Sequence, residues 1–332
     1  MLKIHFSGED ILRTRVAPAA DPVWELVLSL HALQSRNRDP LTSTWRRTVS
    51  RELRQDAASE QLRLLFALNP PRGYFPDFLT PYASVDGLEA GLDAIQRTPV
   101  GLLQRDLGVL AAETPLPASA AALARGDVAA LYHLTESMEQ YRSLAISPYW
   151  NRIQAAVAAD RNRRARALLD GGVEGLLTSL RPAMRWEGGV LEVRAYPHSR
   201  ELHLDGRGLL LVPSFFCAAT PVALLDPALP PVLVYPVDRL GGLAPTDRVG
   251  TAAPGAGRDS LAALLGRTRA AVLQASDDGC TTGEVARRLN ISPAAASQHA
   301  TVLRNAGLLV SHRERNTVLH TLTPLGRAML DA

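Results

Sequence analysis

The sequence predicts a mainly α-helical protein with a small β component, an α+β class, and three observations carry that reading. Apolar residues recur at helical spacing through most of the first 180 residues. Between residues 190 and 236 the pattern turns strand-like, with period two in VLEVRAY and a further strand-like run in VLVY, which fits a small antiparallel sheet. The last 75 residues return to short helical patterns and close on two strand-like runs. At 332 residues the chain is long enough for two domains. The expected boundaries are a helical and small-sheet domain over 1–240, a linker over 241–257 and a second domain over 258–332. The linker stretch, GGLAPTDRVGTAAPGAG, is rich in Gly, Ala and Pro and poor in apolar bulk.

Composition narrows the classes. An apolar fraction of 46% suits packed globular domains. No apolar run reaches the ~18–20 residues of a membrane span, and MLKIHFSGED lacks the regions of a signal peptide. A cytoplasmic protein without membrane contact is expected. Two cysteines, Cys217 and Cys280, make no disulfide framework and read as small buried apolar residues. Lys3 is the only lysine. Residues 258–332 hold nine arginines against six acidic residues, a net of +3, and the whole chain is also +3. The positive excess therefore sits in the last domain, where it would suit a phosphate-facing surface.

In chain order, LKIHF alternates like a short strand. Asp21-Pro22 opens a helix, Asp as N-cap and Pro in the first turn, followed by VWELVLSLHALQ. Thr42–Gln55 and Ala57–Leu68 read as further helices. RGYFPDFLTPYAS then gathers Tyr74, Phe75, Phe78 and Tyr82 between prolines in a chain with only 5% aromatics. It is either a loop anchored by its rings or the wall of an apolar ligand pocket. Trp24, His31, Tyr74, Phe75, Phe78 and Phe215 are the candidate pocket residues, with packing positions as the alternative. Ser84–Arg97, capped by Ser84, and Pro99–Ala112 are helical. So are two segments near 118–124 and 128–143, and a long helix over Pro148–Leu169 that carries the basic run at 161–166 and closes at Gly171-Gly172. Asp205-Gly206 between Glu201–Leu204 and Gly208–Val212 signals a hairpin. LLLVPSFF is too apolar to stay exposed.

The C-terminal segment is the most informative. Ser260–Ala275 reads as one helix with Leu261, Leu264, Leu265, Thr268, Val272 and Leu273 on one side. In TTGEVARRLNISPAAASQHATVLRNAGLL, a first helix presents Val285, Ala286 and Leu289. Asn290-Ile291-Ser292 turns the chain. Ser292 caps a second helix with Pro293 in its first position, and Gly307 stops it. Ala296, Ala300, Val302 and Leu303 are expected inward, and Ser297, Gln298, Thr301 and Arg304 outward. Two helices joined in this way form a helix-turn-helix, whose second helix enters the major groove of duplex DNA. Two strands around HRERN and a last helix, LGRAMLDA, complete the order of a winged helix.

On these motifs the C-terminal residues resemble the ArsR-type winged-helix transcriptional regulators. The remainder, through DPVWELVLSLHALQ and GRGLLLVPSFF, resembles the N-terminal extension of the large ArsR-like regulators. The resemblance implies DNA contacts by Ser292, Ala294, Ala295, Ser297, Gln298 and Thr301, with Gln298 reading base edges. It implies phosphate contacts by Thr281, Thr282 and Arg304, either a phosphate contact or packing for His299, and backbone or minor-groove contacts by Arg313 and Arg315 at the wing tip. It also implies a homodimer joined through helices flanking the motif, a near-palindromic operator, and repression.

Metal-sensing relatives carry Cys-x-Cys-Asp where this chain has Thr281-Thr282-Gly283-Glu284, and the terminal helix lacks the Asp/His spacing of the family's other metal site. His198 and His203 stand five apart without a cysteine or acidic cluster in sequence. No metal and no cofactor are expected. No nucleophile elbow, phosphate-binding loop or HExxH motif occurs, so no enzyme is expected. The expectation is a DNA-binding regulator controlled by a non-metal effector at the N-terminal domain, either an apolar small molecule or another protein. The alternatives are an enzyme fused to a DNA-binding module, and an N-terminal domain that only builds the dimer.

Overall fold

A computed structural model describes residues 1–35, 39, 41–55, 62–71, 73–217, 220–239, 261–262, 264–277, 279–314 and 317–331. The chain divides into two compact units, Met1–Thr246 and Asp247–Ala332. The expected linker at 241–257 lies outside the described residues.

The N-terminal unit opens with strand β1 (Leu2–His5), helix α1 (Gly8–Arg13) and strand β2 (Arg15–Val16). Ser7 and Asp10 form a reciprocal capping box at the start of α1. Helix α2 (Pro22–Gln34) starts as the sequence predicts, with the Asp21 carboxylate accepting from the Val23 and Trp24 amides. Helices α3 (Ser43–Gln55), α4 (Leu62–Leu68), α5 (Leu88–Gln96), α6 (Val100–Glu113), α7 (Ala120–Ala124) and α8 (Val128–Ala145) follow. Trp45, Val49 and Leu53 of α3 face the core, and the Trp45 indole donates to the Ala145 carbonyl at 2.7 Å. Ser84 does not cap a helix. It sits in a 3₁₀ turn (Tyr82–Asp86), fully buried, and donates to Asp21 at 2.6 Å, while Gly87 starts α5. A buried carboxylate competes better for that hydroxyl than a helix end open to water does.

Helix α9 (Trp150–Thr178) is two helical segments that meet at a kink where the sequence predicts the stop. The chain leaves helical geometry at Gly171 and Gly172, the latter at φ 62°, and then resumes the helix. Strands β3 (Arg185–Glu187), β4 (Val190–Val193), β5 (Arg200–His203), β6 (Leu210–Ser214), β7 (Val222–Ala223) and β8 (Val232–Pro236) complete the unit.

The small sheet proves to be two four-stranded mixed sheets, ordered β3-β4-β1-β5 and β2-β6-β8-β7. Asp205 and Gly206 do turn the chain, at φ 52° and 80°. The expected hairpin does not form, because β5 pairs parallel with β1 and β6 pairs parallel with β2 and β8. The apolar runs explain the arrangement. In β6 and β8, Leu210, Val212, Val232 and Val234 face the helical core, while Leu211, Leu233 and Tyr235 face a second core with Leu2, Ile4, Leu191, Val193 and Leu202 of the other sheet. A strand buried on both faces must be apolar at every position, so LLLV and VLVY carry no period of two.

The C-terminal unit has its own core. Residues 261–262 and 264–265 are helical, and helix α10 (Arg267–Ala275) follows. Gly266, at φ 85°, breaks the single helix expected over Ser260–Ala275 and leaves Leu264 72% exposed. Then come β9 (Cys280–Thr281), α11 (Thr282–Leu289), α12 (Pro293–Asn305), β10 (Leu309–Glu314), β11 (Thr317–Leu322) and α13 (Pro324–Asp331). The three strands form one antiparallel sheet, ordered β10-β11-β9. No helix among the described residues is long and apolar enough to cross a membrane.

Candidate nucleic-acid interface and effector cavity

The geometry of α11 and α12 follows from local chemistry. Thr281 caps α11 and accepts from the Glu284 amide, and the Glu284 carboxylate accepts from the Thr281 amide at 2.8 Å. This T-x-x-E pattern is the sequence signature of a capping box. Asn290, in the left-handed region at φ 52°, ends α11 and aims the chain into α12. Ser292 accepts from the Ala295 amide at 3.1 Å and Pro293 occupies the first turn.

Ala296, Ala300 and Leu303, spaced four and three apart, are buried against Val285, Ala286, Val272 and Leu273. Val302 is not inward as expected but 42% exposed. It lies two residues past Ala300, about 200° around the helix. The face turned to solvent carries Ser292, Pro293, Ala294, Ser297, Gln298 and Arg304, with Ala295, His299 and Thr301 part-buried beside it. Small residues in the first turns let a helix approach base edges closely, and Gln298 is the side chain on that face able to pair bidentately with adenine.

Thr281 and Thr282, implied for phosphate contact, each have a hydroxyl partner within the unit. The Thr281 hydroxyl lies 3.0 Å from Glu284, and the Thr282 hydroxyl lies 2.9 Å from Nε2 of His320. Both are engaged inside the unit. Arg313 lies in strand β10, and Arg315 lies outside the described residues. The residue missed by sequence reasoning is His320. It is 4% exposed on β11, and its Nδ1 meets the Ser311 hydroxyl of β10 at 2.8 Å. It thus pins the wing sheet to the N-terminus of α11. Burial, helped by the Arg304 charge, lowers its pKa. Arg287 and Arg288 on α11 are also exposed, and they reinforce the positive surface.

Residues 264–312 match the family model of a helix-turn-helix domain. No curated protein and no solved structure matches the chain. The matched segment spans the region from residue 264 through both helices of the motif and into β10. The C-terminal unit therefore carries a helix-turn-helix domain, a module whose second helix is suited to the major groove of duplex DNA.

The N-terminal unit contains a cavity of about 540 Å³. Leu28, His31 and Ala32 of α2, Tyr74 and Phe75, Val109 of α6, Tyr196, Phe216, Cys217 and Val222 are among its walls. Of the candidate pocket residues, His31, Tyr74 and Phe75 line it. Trp24, Phe78 and Phe215 are core residues instead, 2%, 6% and 3% exposed. Phe75 joins the two sets, with its ring edge-on to both Trp24 and His31. The polar groups at the walls are mostly spoken for. Arg200 donates to the Leu224 and Leu225 carbonyls at 2.8 and 2.9 Å, and Asp77 accepts from the Leu225 and Asp226 amides at 3.1 and 2.7 Å. Burial lowers the His31 pKa to about 4 and raises that of Asp77 to about 6. Burial also pushes the Cys217 thiol up, which keeps it protonated.

Proposed function

We propose that the protein is a one-component repressor. It binds a near-palindromic operator as a homodimer and is released or recruited by an apolar small molecule held in the N-terminal cavity. The carrying observation is the solvent face of α12, where Ser297, Gln298 and Arg304 stand outward on a helix whose N-terminus is capped and fixed by its own core. One recognition helix reads too few bases for useful specificity, which favours two copies on two half-sites. Leu264 and Leu325, 72% and 55% exposed on segments flanking the motif, supply apolar surface for such a dimer. The 540 Å³ cavity falls within the range of small-molecule sites and is walled mainly by apolar and aromatic groups, which favours an effector over a purely scaffolding role. Regulation then requires only that effector and DNA prefer different dimer geometries.

The shifted groups around the cavity do not favour an enzyme. The two Asp77 oxygens are taken by backbone amides, and the Cys217 sulfur lies against the Thr220 and Val234 carbonyls. The cavity is proposed to bind rather than to catalyse.

The test begins with genome-wide DNA capture by the purified protein, which supplies the operator. Gln298→Ala and Arg304→Ala should then abolish specific binding while circular dichroism stays unchanged; undiminished binding would sink the helix assignment. Arg313→Ala and Arg315→Ala should weaken binding to all sequences and lower the salt slope by about one each.

A further inference from the structure

A second site lies on the outer face of the sheet β3-β4-β1-β5. Strands β1 and β5 run parallel, and their register sets His5 opposite His203 and Lys3 opposite Glu201. Leu2, Ile4 and Leu202 take the inner face, so His5, Glu201 and His203 share the outer one. Nε2 of His5 lies 3.4 Å from Oε2 of Glu201. The His5 and His203 rings stack with centroids 4.4 Å apart and planes 9° from parallel. One donor atom from each of the three residues lies within 4.8 Å of the other two.

We propose that His5, Glu201 and His203 bind one divalent transition-metal ion of the zinc class. Two imidazole nitrogens and one carboxylate oxygen form a borderline donor set suited to such an ion and poor for magnesium or calcium, which prefer all-oxygen shells. The spacing fits. Metal–ligand bonds of about 2.0–2.1 Å in a tetrahedron put ligand atoms roughly 3.3 Å apart, and the His5–Glu201 pair stands at 3.4 Å. Binding would require the His203 ring to leave its stack on His5 and turn a nitrogen to the ion, a rotation that its exposure permits. Nε2 of His5 is moreover shielded from solvent, and although Oε2 of Glu201 stands 3.4 Å away the two do not meet in hydrogen-bond geometry, so an ion between them would satisfy both. Three protein ligands leave a fourth position to water. Lys3 shares the face and tempers the affinity through its charge. None of the three ligands lines the cavity, so the site stands apart from the proposed effector site. Because the ion would join residue 5 to residues 201 and 203, it would hold together strands that are remote in sequence, and binding would stabilise the N-terminal unit.

The experiment uses full-length protein without an affinity tag, stripped of metal and titrated with Zn²⁺ by calorimetry and with Co²⁺ by visible absorption. Expected are one ion per chain, cobalt bands of a four-coordinate site, a higher unfolding temperature with Zn²⁺, and none of these with Mg²⁺. His5→Ala, Glu201→Gln and His203→Ala should each weaken Zn²⁺ at least about tenfold, whereas His198→Ala should leave it unchanged. Glu201 and His203 are exposed, and circular dichroism checks each fold. Absence of Zn²⁺ binding, or binding that survives all three substitutions or is lost with His198→Ala alone, would overturn the proposal.

Discussion

Glu25 shows how much a single buried group can govern. It lies on α2, fully buried, and accepts from the Phe215 amide at 2.7 Å, the Phe216 amide at 3.0 Å and the Ser214 hydroxyl at 3.1 Å. It ties the first long helix to the end of the central strand β6. Burial raises its pKa from 4.5 to about 7, against the pull of the amides. The native state then keeps a proton that the unfolded chain has released between those values, so its contribution is whole below pH 4.5 and lost as pH rises through 7. In urea unfolding, the stability of the wild type relative to Glu25→Gln should fall by ~3 kcal/mol between pH 4.5 and 8. A flat difference would mean that Glu25 is ionised throughout. His320 runs the other way. Its lowered pKa means that the unfolded state takes up the proton first as pH falls below 6.5. Calorimetry should show the C-terminal transition dropping in temperature below pH 6.5, and His320→Gln should flatten that slope. One arginine of the basic run at 161–166 is turned inward. Arg164 is buried, pairs with Asp160 at 2.7 Å and stacks over the Tyr235 ring, while the Tyr235 hydroxyl donates to the same Asp160.

At the scale of elements, what was legible in the sequence had local causes. The start of α2, the spacing of α3, both helices of the motif and the wing strands follow from caps, glycines and short-range periodicity. What was not legible depends on residues far apart. Ser84 looks like a cap until Asp21 is beside it, and β5 and β6 look like a hairpin until β1 and β2 claim them. The metal-ligand cluster was hidden for the same reason, since His203 meets His5 and not its sequence neighbour His198. The turn between β5 and β6 is instead held by α1. The Gly208 amide donates to Asp10 at 2.9 Å, and Arg13 donates to the Gly206 carbonyl at 2.8 Å. Gly208 sits at φ 72°, and a Cβ there would come within 2.7 Å of the Arg13 backbone. Gly208→Ala should therefore cost about 1–3 kcal/mol in chemical denaturation, whereas Ala at Gly8, a helical position with open space around it, should cost little.

At the scale of the whole molecule, each unit has a core of its own. A fragment of residues 258–332 should unfold cooperatively and keep salt-dependent affinity for duplex DNA. A fragment that is unfolded in isolation would show that its core is insufficient. In the full chain, Leu264→Asp with Leu325→Asp should convert the proposed dimer to monomer in analytical ultracentrifugation and weaken operator binding. The two units also differ in when they can form. Strand β1 lies between β4 and β5, whose residues come some 190 positions later in the chain. At translation rates of ~5–20 residues per second, that separation is a wait of roughly 10–40 s. Leu2 and Ile4 spend that interval without the partners that bury them, a window in which a chaperone or a neighbouring nascent chain competes for the strand. The motif helices meet their core partners within a few tens of residues, so the DNA-reading head can assemble promptly once it is made.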